Sequence, residues 1–396
     1  MASQDIADSG RSSRGSLIND PKIRGLFFQL LVIILLVAGT WWIVHNVIDN
    51  LRRSNIASGF AFLSSRAGFD ISESPIAYSS DSTYGRAILV GFLNTLIVAA
   101  VGIVTASIIG FTIGIGRLSR NWLIQKICTV YVELFRNIPP LLVIFFWYFG
   151  VLSVLPGSRD SIHLPFGTFL NNRGFYFPKA IWGEGAWLIL AAFVVGIVLA
   201  WFVARRARQR QMATGQTFPV LWTSIALIVG LPFLACALSG FPLSFDMPQQ
   251  STFNLSGGFQ VKPEFLSLYL ALSFYTASFI AEIVRAGIIG VSRGQTEASE
   301  ALGLRPRQIL RLVVVPQAMR IIIPPLTSQY LNLTKNSSLA IAIGYPDLVA
   351  TGGTVLNQTG QAIEIVVIWM VIYLGISLVT SAFMNWFNAK MALVER

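Results

Sequence analysis

The chain has 396 residues, 54% of them hydrophobic and only 12% charged, with a formal net charge of +11. That charged share is about half that of a soluble domain. With long uncharged apolar runs, it excludes an ordinary soluble globule in favour of a polytopic membrane protein. The positive balance does not point to nucleic acid, because Lys and Arg are spread over short segments between apolar runs, where positive-inside topology and anionic membrane lipid account for them.

Residues 1–25, rich in Ser, Asp, Arg and Gly, read as a mobile tail. A first span covers 26–48, with Trp41 and Trp42 at an interface. Its long polar lead argues against a cleaved signal peptide. A polar connection with aromatics follows at 49–86. The second span, 87–115, contains Gly110 and Gly114, a small-residue face for close helix contact. The third, 127–155, is expected to break at Pro139-Pro140, and 156–185 reads as an irregular loop. The fourth and fifth spans, 186–204 and 219–238, are separated by Arg205, Arg206, Arg208 and Arg210. That cluster could meet a partner or a lipid headgroup, but a stop-transfer loop is the simpler reading. Another polar loop covers 239–264. The sixth span is 265–285, the seventh is 317–345 with an expected break at Pro324-Pro325, and the eighth is 363–388.

Eight spans put both termini on one side. The loops on that side carry 18 Lys and Arg against 8 on the other, which places both termini in the cytoplasm. Cys128 and Cys236 fall in or beside apolar spans and read as small core residues. His45 and His163 stand apart from any Cys or carboxylate cluster, so no metal site is expected.

Between the sixth and seventh spans lies the most polar, helix-capable stretch of the second half, Gln295 to Pro316. Ser292 and Gln295 have the spacing of a capping box. Gly303 sits where a helix stops and Pro306 where the next begins, and Pro316 is expected to end it. Two further polar stretches interrupt apolar spans. In one, Glu133, Arg136 and Asn137 precede the double proline, with Glu133 and Arg136 spaced to pair on one helix face. In the other, Gln329, Asn332, Lys335, Asn336 and Ser337 crowd hydrogen-bonding groups into a spanning helix. One Lys among neutral polar groups suits a ligand bearing a carboxylate and an ammonium; inter-helix glue is an even competitor. Glu282 and Arg285 form a third pair, read as structural.

The spacing Glu297-Ala298-Ser299, then Gly303, then Val313 to Pro316 resembles the EAA signature of ABC importer permeases. That family has Ala where Ser299 stands, Ile at Val313 and Leu at Val315. With the polar stretches at 133–140 and 324–338, the chain resembles the polar amino acid permeases of the histidine/glutamine type, over 87–155 and 265–388. The extra first span and the inserted pair at 186–238 resemble the general L-amino-acid (Aap/Bzt type) branch.

The resemblance implies an all-α polytopic helical bundle, a type I ABC importer transmembrane domain of about eight transmembrane helices in a bacterial inner membrane. It implies that 286–316 is a cytoplasmic coupling hairpin whose Glu297, Ala298, Ser299, Glu300, Gly303 and Arg307 meet an ATPase. The implied partners are a second related permease in a heterodimer, two ATP-binding subunits and a periplasmic amino-acid-binding protein. No phosphate-binding P-loop occurs in the sequence. ATP and Mg would therefore sit on the partner ATPase, with no cofactor on this chain. An ion-coupled secondary carrier using Glu133, Glu282 or Lys335 is the alternative, and a membrane enzyme or structural subunit the third reading.

Overall fold

The computed structural model describes residues 21–53, 59–251 and 254–391. Most of the expected tail, 1–20, lies outside these residues, and 21–25 belong to the first helix. The helices are α1 (Pro21–Arg53), α2 (Tyr84–Gly116), α3 (Trp122–Arg136), α4 (Pro140–Phe145), α5 (Trp187–Thr214), α6 (Val220–Leu238), α7 (Pro263–Ile289), α8 (Arg293–Ala301), α9 (Pro306–Ile309), α10 (Val315–Asn336), α11 (Leu348–Thr359) and α12 (Ala362–Met391). Among the described residues seven helices are long and apolar enough to cross a membrane. An eighth crossing results if α3 and the segment Pro140–Leu152, bent by 109° at the double proline, count as one span. Pro139 and Pro140 donate no backbone N–H, and Asn137 closes α3 by donating its side-chain amide to the Glu133 carbonyl at 2.7 Å.

Helix α2 organises the bundle because it carries a glycine wherever another helix crosses it. A Cβ on Gly110 would come within 2.6 Å of Ile280 Cβ, and one on Gly114 within 2.7 Å of the Ala281 carbonyl, both on α7. Gly91 lies as close to Thr351 of α11, Gly102 faces Leu333 of α10, and Gly116 faces Cys128 of α3. Backbones therefore approach to near contact, as small residues permit where lipid provides no hydrophobic drive. Hydroxyl pairs tie the same crossings: Thr105 to Tyr269 and Ser107 to Tyr330, each at 2.9 Å. The main core, including Val98, Ala106, Leu272, Ile280, Ile322 and Leu333, fills the space among α2, α7 and α10.

Two proline expectations are corrected. Pro324 and Pro325 do not break the seventh span, because α10 runs unbroken from Val315 to Asn336. Each proline removes one ladder N–H and crowds the carbonyl one turn earlier, yet buried Ile322, Ile323 and Leu326 hold the helix in the core across the gap. Nor does Pro316 end a helix. Residues Leu310–Val314 form a wide π turn, Val315 donates to the Leu310 carbonyl, and Pro316 falls in the first turn of α10, where its missing N–H leaves the ladder intact.

The expected loops at 156–185 and 239–264 are also corrected: the fold is mostly helical but not all-α. Strands β1 (Ile162–Leu164), β2 (Thr168–Asn171), β3 (Gly174–Phe177) and β8 (Phe259–Val261) form a four-stranded antiparallel sheet in that order. Strands β4 (Lys179–Trp182) and β5 (Leu243–Asp246) pair, as do β6 (Gln249–Gln250) and β7 (Leu255–Ser256). Of the expected 49–86 connection, 49–53 belong to α1, and in the part described from residue 59 Phe62 packs with Leu348, Val355 and Ile365. Lys262 donates to the Ser72 carbonyl at 2.6 Å, Gln260 to that of Arg173 at 2.8 Å, and the Gly59 N–H to Glu364 at 2.7 Å. These segments thus gather at one pole, opposite the segment 290–305.

At that pole Glu73 is largely buried, and burial pushes its carboxyl from 4.5 up to about 7, with Lys262 opposing and Glu264 adding. The folded chain therefore keeps a proton that the unfolded chain releases above 4.5. Stability is greatest below that value and falls as pH rises to about 7. Thermal unfolding in detergent should show Glu73→Gln matching the native chain near pH 4.5 and melting higher at pH 8. In the same assay Gly110→Ala should cost about 1–3 kcal/mol by forcing α2 and α7 apart, whereas Gly39→Ala, with open space around it, should not.

Candidate functional site

Halfway along α7, Thr276 is buried against α10, and a polar pocket of about 260 Å³ opens beside it. Gln329, Asn332 and Asn336, spaced three and four residues apart, present one face of α10 to this pocket. Tyr275 and Phe279 of α7 and Pro140 of α4 complete it. The bend after α3 brings Pro140 here. The bend is fixed by aromatic packing around Phe274, with Trp147 and Phe135 stacked on it at 5.6 and 6.1 Å. Tyr131 donates to the Phe274 carbonyl at 2.6 Å.

The other expected path residues lie elsewhere. Lys335 is exposed and does not line the pocket. Ser337 is fully buried, its hydroxyl donating to the Thr334 carbonyl at 2.8 Å. Asn137 is occupied in closing α3. Arg136 stands close to the pocket, its guanidinium 5.6 Å from the centre of the ring of the lining residue Phe279.

Glu133 and Arg136 do not pair with each other as their spacing suggested. Arg136 lies 3.8 Å from Glu282, and Glu133 lies 4.0 Å from Arg117. Arg117, at the end of α2, is bonded directly to Glu282, which also holds Arg285 at 2.5 Å. One carboxylate thus gathers three arginines from α2, α3 and α7. The reason is local: Glu282 is three-quarters buried, and a carboxylate at that depth needs partners. Sequence reasoning missed Arg117, Tyr275, Thr276 and Phe279. The usable signal was Arg117 itself, the first charge after a 30-residue stretch free of charged side chains.

The segment 290–305 is a tight helical corner. The Gly303 N–H bonds the Glu300 carbonyl at 2.8 Å and the Leu304 N–H bonds the Ser299 carbonyl at 3.2 Å. These are the two bonds of a Schellman turn, which needs the left-handed backbone that Gly303 adopts at φ +75°. The expected Ser292 side-chain cap is absent. Instead the Arg305 N–H bonds Gln308 at 2.9 Å and starts α9, and Gln317 of α10 bonds Gln295 of α8 at 3.1 Å. Ser299 is buried, its hydroxyl on the Gln295 carbonyl. Glu297, Ala298, Glu300, Gly303 and Arg307 are exposed, and Leu302 offers an apolar side chain that is 81% exposed.

Residues 196–393 match the family described as binding-protein-dependent transport system inner membrane component. Over 381 residues the chain is 68% identical to the general L-amino acid transport system permease protein AapQ of Rhizobium johnstonii, covering 96% of this chain and 95% of that protein. It is 51% identical to the putative amino-acid ABC transporter permease protein YhdX of Escherichia coli K12, over 97% and 98% of the two chains. It is 42% identical to the glutamate/glutamine/aspartate/asparagine transport system permease protein BztB of Rhodobacter capsulatus, over 96% of each.

The shared carboxylate implies strong coupling between its partners. Arg117→Ala and Glu282→Ala should each destabilise the detergent-solubilised chain by about 1–3 kcal/mol. The double variant should lose clearly less than their sum; additive losses would show that the two groups do not act as a pair.

Proposed function

The chain belongs to the family of binding-protein-dependent transport system inner membrane components, and from that membership we infer how its pocket and its helical corner work together. It is a multi-pass inner-membrane permease subunit of an ATP-driven amino acid importer, and ATP hydrolysis belongs to a separate subunit. The relatives give no support to an ion-coupled carrier. On our reading the termini and the segment 286–316 face the cytoplasm, and Glu297, Ala298, Glu300, Gly303 and Arg307, with Leu302, form the dock for an ATPase that carries ATP and Mg. Two such ATPases, a second related permease and a periplasmic binding protein complete the assembly.

One observation carries the reading. The stretch Pro306–Ile343 is helical from end to end, through the π turn, α10 and the 3-10 segment Ser337–Ile343. A corner held by a Schellman turn is thus joined without a break to Gln329, Asn332 and Asn336, roughly 35–45 Å along the axis from Pro306. Movement imposed on the corner by closing ATPases reaches the pocket because no loop absorbs it. The pocket offers neutral amide and hydroxyl groups, with Arg136 behind Phe279. That suits the carboxylate common to all amino acids and discriminates weakly among side chains, which supports a general L-amino acid specificity.

Reconstituted vesicles containing the whole transporter test this. Uptake should require ATP and the binding protein; uptake driven by an ion gradient alone would overturn it. Gly303→Asp should reduce uptake to background with normal membrane content, because the turn bonds need the left-handed glycine. Gln329→Leu with Asn332→Leu should lower uptake roughly tenfold or more, because the polar groups of the ligand would then be buried without hydrogen-bond partners, while the ATPase still co-purifies.

A further inference from the structure

The helical pair α5–α6 stands apart from this machinery. Its helices pack on each other, with Gly196 tight against the Leu227 carbonyl. Among their side chains only Gly196, Ala200 and Ala207 of α5 are buried, and none of α6. Helix α5 does not stop at the basic cluster, as the expected loop required. It continues to Thr214, so Arg205, Arg206, Arg208 and Arg210 project from a helix. Two grooves flank that end. One, of about 650 Å³, runs from Leu199, Phe202 and Val203 to Arg206 and Arg210; the other, of about 430 Å³, runs from Trp201 to Arg205 and Arg208.

Three features say what fills them. No Asp or Glu occurs anywhere in 187–238, and among the described residues no carboxylate pairs with the four arginines. The arginines lie roughly 27–35 Å along α5 from exposed Trp187, one bilayer core away, at headgroup depth. Each groove is apolar towards the bilayer and cationic at its end. Arg205 lies 5.4 Å over the Trp201 ring and Arg210 donates to Gln216 at 3.0 Å, so both guanidinia are held in place. Positive-inside bias explains how many arginines there are, not their division between two apolar grooves.

We propose that these grooves are binding sites for acidic phospholipids of the leaflet facing the coupling corner. The arginines take the headgroup phosphate through paired N–H donors, and Leu199, Phe202 and Val203 line the first part of the acyl chain. Naming the cytoplasmic leaflet rests on the topology proposed above; the lipid chemistry does not. An acidic protein surface would leave the apolar half of each groove in the bilayer uncovered, and a free anion would leave it empty.

The test is native mass spectrometry of the delipidated, fully assembled transporter titrated with phosphatidylglycerol or phosphatidylcholine. Phosphatidylglycerol should be retained preferentially. Arg206→Ala with Arg210→Ala should weaken retention roughly thirtyfold, the effect of two arginines at an anionic surface. Arg206→Lys with Arg210→Lys should fall between, and serves if the alanine variant does not assemble. Arg120→Ala with Lys126→Ala, which removes equal charge elsewhere, should change nothing. Equal retention of both lipids, or native-like retention by the alanine variant, would overturn the proposal. So would an equal loss in the control, or displacement of the lipid by inorganic phosphate. None of these readouts depends on uptake, so failure here is separate from failure of the importer reading.

Discussion

Everything in this bundle depends on how closely α2 and α7 approach. Within a bilayer, apolar side chains gain nothing by leaving lipid for one another, so helices associate where backbones can touch. Gly110 and Gly114 provide that contact against Ile280, Ala281 and Val284. It places Thr105 on Tyr269 and brings the end of α2 level with Glu282, so that Arg117 reaches it. The same helix meets α10 at Gly102 and α11 at Gly91. The pocket, the charge cluster and the rod carrying the corner are positioned by one helix whose glycines are sites of approach.

The charge cluster and the pocket are then two consequences of one constraint. A carboxylate at the depth of Glu282 must be matched, and three arginines from three helices do so. Drawing Arg136 in also sets its guanidinium behind Phe279, on the corner side of the pocket. The layer between pocket and corner is therefore charged and cross-linked, while the pocket is neutral and polar. A bound carboxylate would meet positive potential without a direct, costly ion pair in the pocket itself.

Several features set by neighbouring residues were legible in the sequence, though the Ser292 cap, the stop at Pro316 and the Glu133–Arg136 pair were not among them. The turn at Gly303, the bend at Pro139-Pro140 and the close face at Gly110 and Gly114 each follow from local chemistry. Features set by distant pairing were not. Strands of three or four residues carry little pattern of their own, and Phe175 pairs with Val261 across the whole insertion that holds α5 and α6. Arg117 and Glu282 are 165 residues apart. At Pro324-Pro325 the local rule failed because buried neighbours hold a helix that two missing bonds would otherwise weaken. Gln329, Asn332 and Asn336 were visible as a polar cluster, but the facing Thr276 and Phe279 belong to a helix that reads as ordinary core.

The central claim is that α10 carries movement from the corner to the pocket as one rigid piece. Electron–electron double resonance on the assembled transporter tests it directly, with Cys128 and Cys236 replaced by Ser. Spin labels at Arg307→Cys and Asn336→Cys report the length of the rod; labels at Arg307→Cys and Leu118→Cys report its position relative to α2. On ATP binding the first distance should stay constant while the second changes. A change in the first distance, or no change in either, would contradict the account.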